Sequence, residues 1–91
     1  MLKNKICVVG GGYWGKNHIK TLYELDSLAG VVEPIESKRI HIKANFPDVK
    51  IFNTLEESFA EGDFDGYTVA TPAETHHSLG KKILTLGKNV L

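Results

Sequence analysis

The fourteen residues ICVVGGGYWGKNHI, Ile6 to Ile19, decide how the chain folds. An apolar run of four ends at three consecutive glycines, and a segment able to form a helix follows at once. A short β-branched run with no polar alternation suits a strand buried on both faces, as in a parallel sheet. Gly10, Gly12 and Gly15 satisfy the spacing G-x-G-x-x-G. Glycine is common in turns, so the spacing alone is a weak signal. Its setting is the informative part: a buried strand before it and a helix after it are what a phosphate-cradling loop requires.

In that setting each glycine has its own task. Gly10 allows the tight turn off the strand. Gly12 lacks a Cβ, so a pyrophosphate can approach the backbone. Gly15 lies on the same helical face as Ile19 and Leu22, and its missing side chain lets helix and strand pack closely. The amides of Tyr13 and Trp14 then point at the phosphates from the positive end of the helix dipole. Their rings either cover the crevice or touch the ligand, and the sequence leaves that open. Lys16 fits a solvated lysine as well as a phosphate partner. A plain strand-to-helix turn is the bland alternative for the whole stretch.

Outward from this loop, strand-like and helix-like segments alternate. Val31-Val32 and residues 49–52, 67–70 and 89–91 are further short apolar runs. Residues 14–25 place Gly15, Ile19, Leu22 and Tyr23 on one helical face. In Glu36–Asn45, Ile40 and Ala44 lie one turn apart, and Pro47 stops the helix. Thr54 and Glu57 have the spacing of a capping box, with Leu55 and Phe59 supplying the buried face. Residues 73–86 carry His76, Leu79, Ile83 and Leu86 on one face, and Gly87 offers a C-cap. This alternation predicts right-handed βαβ units and an α/β fold: a doubly wound, Rossmann-like parallel sheet of order 3-2-1-4-5. The ligand crevice is expected at the C-terminal edge, between the first and fourth strands. The fifth strand is cut short at Leu91, so residues 1–91 read as an incomplete dinucleotide-binding domain, the front part of something larger.

Glu33 follows the second apolar run, eighteen residues after Gly15. A dinucleotide fold places there the carboxylate that accepts hydrogen bonds from the adenosine ribose hydroxyls. A 2′-phosphate about 4 Å from that carboxylate would meet repulsion of about 4 kcal/mol per charge pair at an effective dielectric of about 20. NAD is therefore expected over NADP. Lys38 and Arg39 weigh the other way, since either could curl back towards a 2′-phosphate. A surface acid at a strand end is the bland reading of Glu33. A methyltransferase uses a similar sheet and acid, but its loop lacks the later helix-packing glycine that Gly15 supplies here.

The stretch VATPAETHH follows the fourth strand and brings Thr71 and Pro72 to the crevice edge. Pro72 rigidifies the turn, and Thr75 can cap the next helix. His76 and His77 are adjacent and point apart on a helix, which is poor metal geometry, so no metal site is expected. His76 either packs near the cap or lines the nicotinamide side of the crevice.

The totals set outer bounds. With 42% apolar and 24% charged residues in 91, the chain has the composition of one small globular domain. Eleven acids balance eleven bases, so there is no general attraction to nucleic acid or to an anionic membrane. The apolar run before Gly10 is too short for a secretory leader or a membrane span. A single cysteine, Cys7, excludes a disulfide within the chain and fits a reducing, cytoplasmic compartment.

Together, VVGGGYWGKNH, VVEP and ATPAETHHSLGKKILTLGKNVL resemble the cofactor-binding part of the glucose–fructose oxidoreductase / inositol dehydrogenase (Gfo/Idh/MocA) family over the whole chain. Thr71, Pro72 and His76 match the family's T/N-P-x-x-x-H pattern. The wording GYWGKN and TPAETH is similar to a branch acting on UDP-linked N-acetylated amino sugars and uronates. The resemblance implies a nicotinamide-dependent oxidoreductase that moves a hydride to or from a sugar-like alcohol carbon. It also implies a Glu-Lys-Pro motif after the fifth strand and a separate substrate domain, neither of which lies in these 91 residues. No catalytic residue is therefore assigned. Gly10, Gly12, Tyr13, Trp14, Gly15, Glu33, Thr71, Pro72 and His76 are the cofactor-binding candidates.

Three functions fit. The chain is the NAD-binding portion of such an oxidoreductase, inactive alone and meeting a sugar or nucleotide-sugar substrate only in a complete enzyme. Alternatively it is a stand-alone adenine-nucleotide-binding module. The third reading is a subunit completed by a homodimer partner or a complementing chain at its open sheet edge.

Overall fold

A computed structural model describes residues 4–10, 13–61, 64–70, 73–85, 87 and 89–90, with side chains described except at 13–14, 73–77 and 89–90. The strands β1 (Ile6–Val9), β2 (Leu28–Val32), β3 (Lys50–Phe52), β4 (Gly66–Val69) and β5 (Asn89–Val90) alternate with the helices α1 (Tyr13–Glu24), α2 (Glu36–Asn45), α3 (Leu55–Glu61) and α4 (Ala73–Thr85). The strands form one parallel sheet in the order β3-β2-β1-β4-β5. This is the doubly wound α/β arrangement that the alternation predicts.

β1 runs through the middle, with Val9 opposite Val32 on one side and Val69 on the other. Its side chains alternate between two cores, as the period of a strand dictates. Cys7 and Val9 pack with Val32, Phe52, Tyr67 and Val69 against Leu55 of α3 and Ile83 of α4. Val8 packs with Leu28 and Val31 against Ile19 of α1 and Ile42 of α2. Helices therefore cover both faces, and every β1 residue is buried. That is why the run carries no polar alternation. Burying each such Val, Leu or Ile contributes about 1.5–3 kcal/mol.

Tyr67 shows how a polar atom is accommodated in this core. Its ring meets Phe59 and Phe64 edge-on, with centroids 5.6 and 5.7 Å away. Its hydroxyl lies 3.3 Å from Ser58 Oγ, and Ser58 donates its own proton to the Leu55 carbonyl at 2.6 Å. Ser58 has only one proton, so Tyr67 donates to it.

Three local features differ from the sequence expectation. β2 begins at Leu28, not at Val31, and takes Gly30 into the strand. A Cβ on Gly30 would lie 2.7 Å from Phe64 Cζ, so the glycine makes room for that ring and does not end the strand. The register with β1 also slips between Ile6 and Cys7, which face Leu28 and Gly30, leaving Ala29 as a bulge. On α2 the buried residue is Ile42, while Ile40 is 63% exposed. Ile42 and Phe46 form a larger apolar pair than Ile40 and Ala44. Phe46 gains a further edge-on contact with Tyr23, at 4.8 Å between centroids. Third, the capping box at α3 is half formed. Thr54 Oγ1 accepts the Glu57 amide at 3.2 Å, but the Glu57 carboxylate meets the Thr54 hydroxyl at 3.5 Å. The stop at Pro47 is as expected: Phe46 leaves helical geometry at φ −135° before the proline.

Candidate functional site

The sheet's connections diverge at β1: β2 lies on one side and β4 on the other, with α1 and α4 on opposite faces. A crevice outside the carboxyl ends of these strands follows from that divergence. The chain leaves β1 at Gly10, whose φ of 101° is a conformation that side chains resist. The Gly10 amide donates to the Val32 carbonyl at 2.8 Å, and the Ala70 amide donates to the Val9 carbonyl at 2.8 Å. The ends of β1, β2 and β4 are thus tied side by side.

Helix α1 begins at Tyr13, on top of this junction. A Cβ on Gly15 would overlap the Gly10 carbonyl oxygen and lie 2.8 Å from its carbon. Its next neighbour would be the Ala70 Cβ at 3.9 Å. The first turn of α1 is therefore seated on the Gly10 peptide. It contains no acidic residue, so no carboxylate of its own offsets the positive end of its dipole.

Glu33 stands at the end of β2 and is 3% exposed. Its amide donates to the Phe52 carbonyl at 2.9 Å, and its Oε2 accepts the Ile35 amide at 2.9 Å. These bonds hold the carboxylate against its own turn. Arg39, one turn into α2, donates from Nη1 to the Glu33 carbonyl at 3.0 Å and the Pro34 carbonyl at 2.7 Å. Sequence reading treats Arg39 only as a cation near the ribose and does not foresee the Ile35 amide or this clamp. The available signal was an arginine six residues after the acid, within one helical turn of a proline-containing loop.

The structure brings Gly10, Gly15 and Glu33 to the same sheet edge. Tyr13 and Trp14 lie in the first turn of α1, and His76 is the fourth residue of α4. Gly12, Thr71 and Pro72 lie outside the described residues, as do the side chains of Tyr13, Trp14 and His76. Among the described residues, no three His, Cys, Asp or Glu side chains gather as a metal set. A cavity of about 330 Å³ lined by Tyr23, Asp26, Leu28, Ala29, Asp48 and Val49 opens where β2 and β3 begin, at the other edge of the sheet. Burial pushes the Cys7 thiol far above its ordinary range, so it carries no thiolate. Burial also raises the Tyr67 phenol. No helix among the described residues is long and apolar enough to cross a membrane.

The chain is similar to several characterised proteins. It is 29% identical over 93 residues to the rhizopine catabolism protein MocA of Rhizobium meliloti, covering all of this chain and 29% of that protein. It superposes at a TM-score of 0.88 on the WlbA dehydrogenase of Bordetella pertussis, solved with NADH and UDP-GlcNAcA. That match has 24% identity and covers 99% of this chain and 28% of the other. GenD2 from gentamicin A biosynthesis, solved with NAD, superposes at 0.87 with 29% identity, covering 99% of this chain and 26% of GenD2. The chain thus spans under a third of the length of these relatives. The family described as "Oxidoreductase family, NAD-binding Rossmann fold" (GFO_IDH_MocA) matches residues 4–91, and to that family this chain belongs.

Proposed function

We propose that this chain binds NAD across the C-terminal edge of its sheet, as the cofactor-holding part of an oxidoreductase acting on an alcohol carbon of a sugar or nucleotide sugar. The observation that carries the cofactor reading is Glu33, a 3% exposed residue at the end of β2, next to Val32, whose carbonyl accepts the Gly10 amide. The residues present fit a dinucleotide: the seat of α1 on Gly10 leaves its first amides for the pyrophosphate, and Glu33 suits the adenosine ribose hydroxyls. Bound NAD supplies a hydride acceptor at its nicotinamide ring. On this reading Gly12, Tyr13 and Trp14 would complete the phosphate loop, and Thr71, Pro72 and His76 would meet the cofactor in the crevice.

NAD is favoured over NADP because a 2′-phosphate would meet the Glu33 carboxylate, while Arg39 Nη1 is engaged by two carbonyls. The substrate class rests on the resemblance of GYWGKN and TPAETH to a branch acting on UDP-linked sugars. No residue here is assigned to acid–base chemistry, so the chain alone is expected to bind cofactor without turnover. A cytoplasmic setting suits its single, buried thiol.

Calorimetric titration with NAD, NADP and ADP-ribose, with Glu33→Ala in parallel, tests the reading. NAD is expected to bind at least about tenfold more tightly than NADP, a gap of about 1.4 kcal/mol, and the variant to narrow it. A folded chain that binds none of the three ligands refutes it.

A further inference from the structure

We infer that Arg39 is a positioning residue for the ribose-binding carboxylate, setting how strongly the site recognises the adenosine 2′-hydroxyl. The inference rests on the cofactor reading of Glu33 proposed above. The turn 33–35 joins β2 to α2, and Arg39 reaches all three of its carbonyls. Nη1 donates to Glu33 and Pro34, at 3.0 and 2.7 Å, and the Arg39 amide donates to Ile35 at 3.0 Å. The same turn supplies the Ile35 amide that binds Glu33 Oε2 at 2.9 Å. The Ile35 amide therefore helps aim the carboxylate, and its place in turn depends on two carbonyls held by one guanidinium nitrogen. Pro34 cannot brace the turn through an amide, because it has none. Charge-assisted bonds of this kind are about twice as strong as neutral ones, and a single nitrogen bridging two carbonyls fixes their separation.

Arg39 is half-buried on α2, outside both core clusters. Its loss should loosen the turn without unfolding the sheet. The guanidinium also cannot serve a 2′-phosphate with Nη1 unless it releases the turn. Arg39 thus supports NAD recognition, although its charge alone would suggest the opposite.

The test compares NAD with its analogue lacking the adenosine 2′-hydroxyl, by calorimetry, on wild type, Glu33→Ala, Arg39→Gln and Arg39→Lys, with a thermal melt of each. Wild type is expected to prefer NAD by about tenfold, the worth of one hydrogen bond to a charged group. Arg39→Gln should reduce that preference to within about threefold, weakening NAD while leaving the analogue nearly unchanged. A general structural lesion would weaken both ligands equally and keep the ratio. Arg39→Lys has a side chain one atom shorter, so its nitrogen cannot reach the Nη1 position, and its ratio should fall between the two. It carries the test if Arg39→Gln does not fold.

Should Glu33→Ala lose the preference while both Arg39 variants keep it, the Arg39 inference is wrong and the ribose reading stands. Should wild type show no preference, or Glu33→Ala keep it, the ribose reading fails and this inference with it.

Discussion

Replacing Gly15 by alanine should destabilise the protein, although helix propensity argues the reverse. Inside a helix, Gly to Ala is worth about 0.8–1 kcal/mol of added stability. The steric cost at Gly15 is larger. The new Cβ would overlap the Gly10 carbonyl oxygen and sit 2.8 Å from its carbon, whereas real Cβ atoms essentially never come under 3.0 Å. Both obstructing atoms are backbone, so no side chain can rotate away. Either α1 must lift from the sheet or the Gly10 turn must move, and that turn is tied to Val32 at 2.8 Å. Overpacking costs typically about 1–3 kcal/mol and more where relaxation is blocked, so a net loss of about 2 kcal/mol is expected after the propensity gain.

Gly80 provides the control. It lies inside α4, and a Cβ there would meet nothing within 4 Å. Gly80→Ala should therefore realise the propensity gain and stabilise by about 0.5–1 kcal/mol. For a domain of this size, about 1 kcal/mol shifts the melting temperature by about 4–8 °C, so the two variants should move in opposite directions by readable amounts. Urea unfolding followed by far-UV circular dichroism gives the free energies and calorimetry the melting points. A Gly15→Ala variant as stable as Gly80→Ala would refute the seating of α1 on the Gly10 peptide.

Two further outcomes concern the core and a helix end. Burial raises the Cys7 thiol in the fold, while an unfolded thiol ionises near pH 8.5; the unfolded chain therefore releases its proton first. Stability from this group is complete below about pH 8.5 and falls above it by about 1.4 kcal/mol per pH unit, with Tyr67 adding loss in the same direction above about pH 10. Urea midpoints at pH 7.5, 8.5 and 9.5 should show the decline and Cys7→Ala should flatten it; equal slopes in both proteins would contradict the argument. Thr54→Ala removes the side-chain acceptor of the Glu57 amide and should cost about 1 kcal/mol, against a few tenths for Thr54→Gly, by the same urea assay.

What the sequence made legible follows from which signals are local. The strand-to-helix passage at Gly10 is local, because a buried run, glycines and a helix are adjacent in the chain. The strand order follows from the alternation. The position of Glu33 follows from its distance after Gly15 at the end of β2. The misread features depend on contacts that residue type and spacing do not show. Gly30 looks like a strand boundary until the Phe64 ring is seen against it. Ile40 and Ile42 are equally apolar, and the packing of Ile42 and Phe46 with Ile19 and Val31, together with the Phe46–Tyr23 contact, chooses between them. Arg39 reads as a cation available to a 2′-phosphate because its partners are carbonyls, which carry no residue identity in a sequence.

The same distinction bears on how the proposed site can change. Gly10 contributes a backbone angle and Gly15 the absence of an atom, and α1 contributes amides that any residue except proline provides. A substitution at either described glycine disturbs the fold itself, so these positions have little freedom to tune a ligand. Glu33 is the one described site residue whose contribution is side-chain chemistry, and the turn that holds its Oε2 is itself bonded by one arginine outside both core clusters. Changes in that turn alter the charge and hydrogen bonding offered to the ribose while leaving the sheet intact. Selectivity between related dinucleotides should therefore shift through residues 33–39 at small structural cost. In the proposed site the glycine loop, by contrast, would decide whether a dinucleotide binds at all.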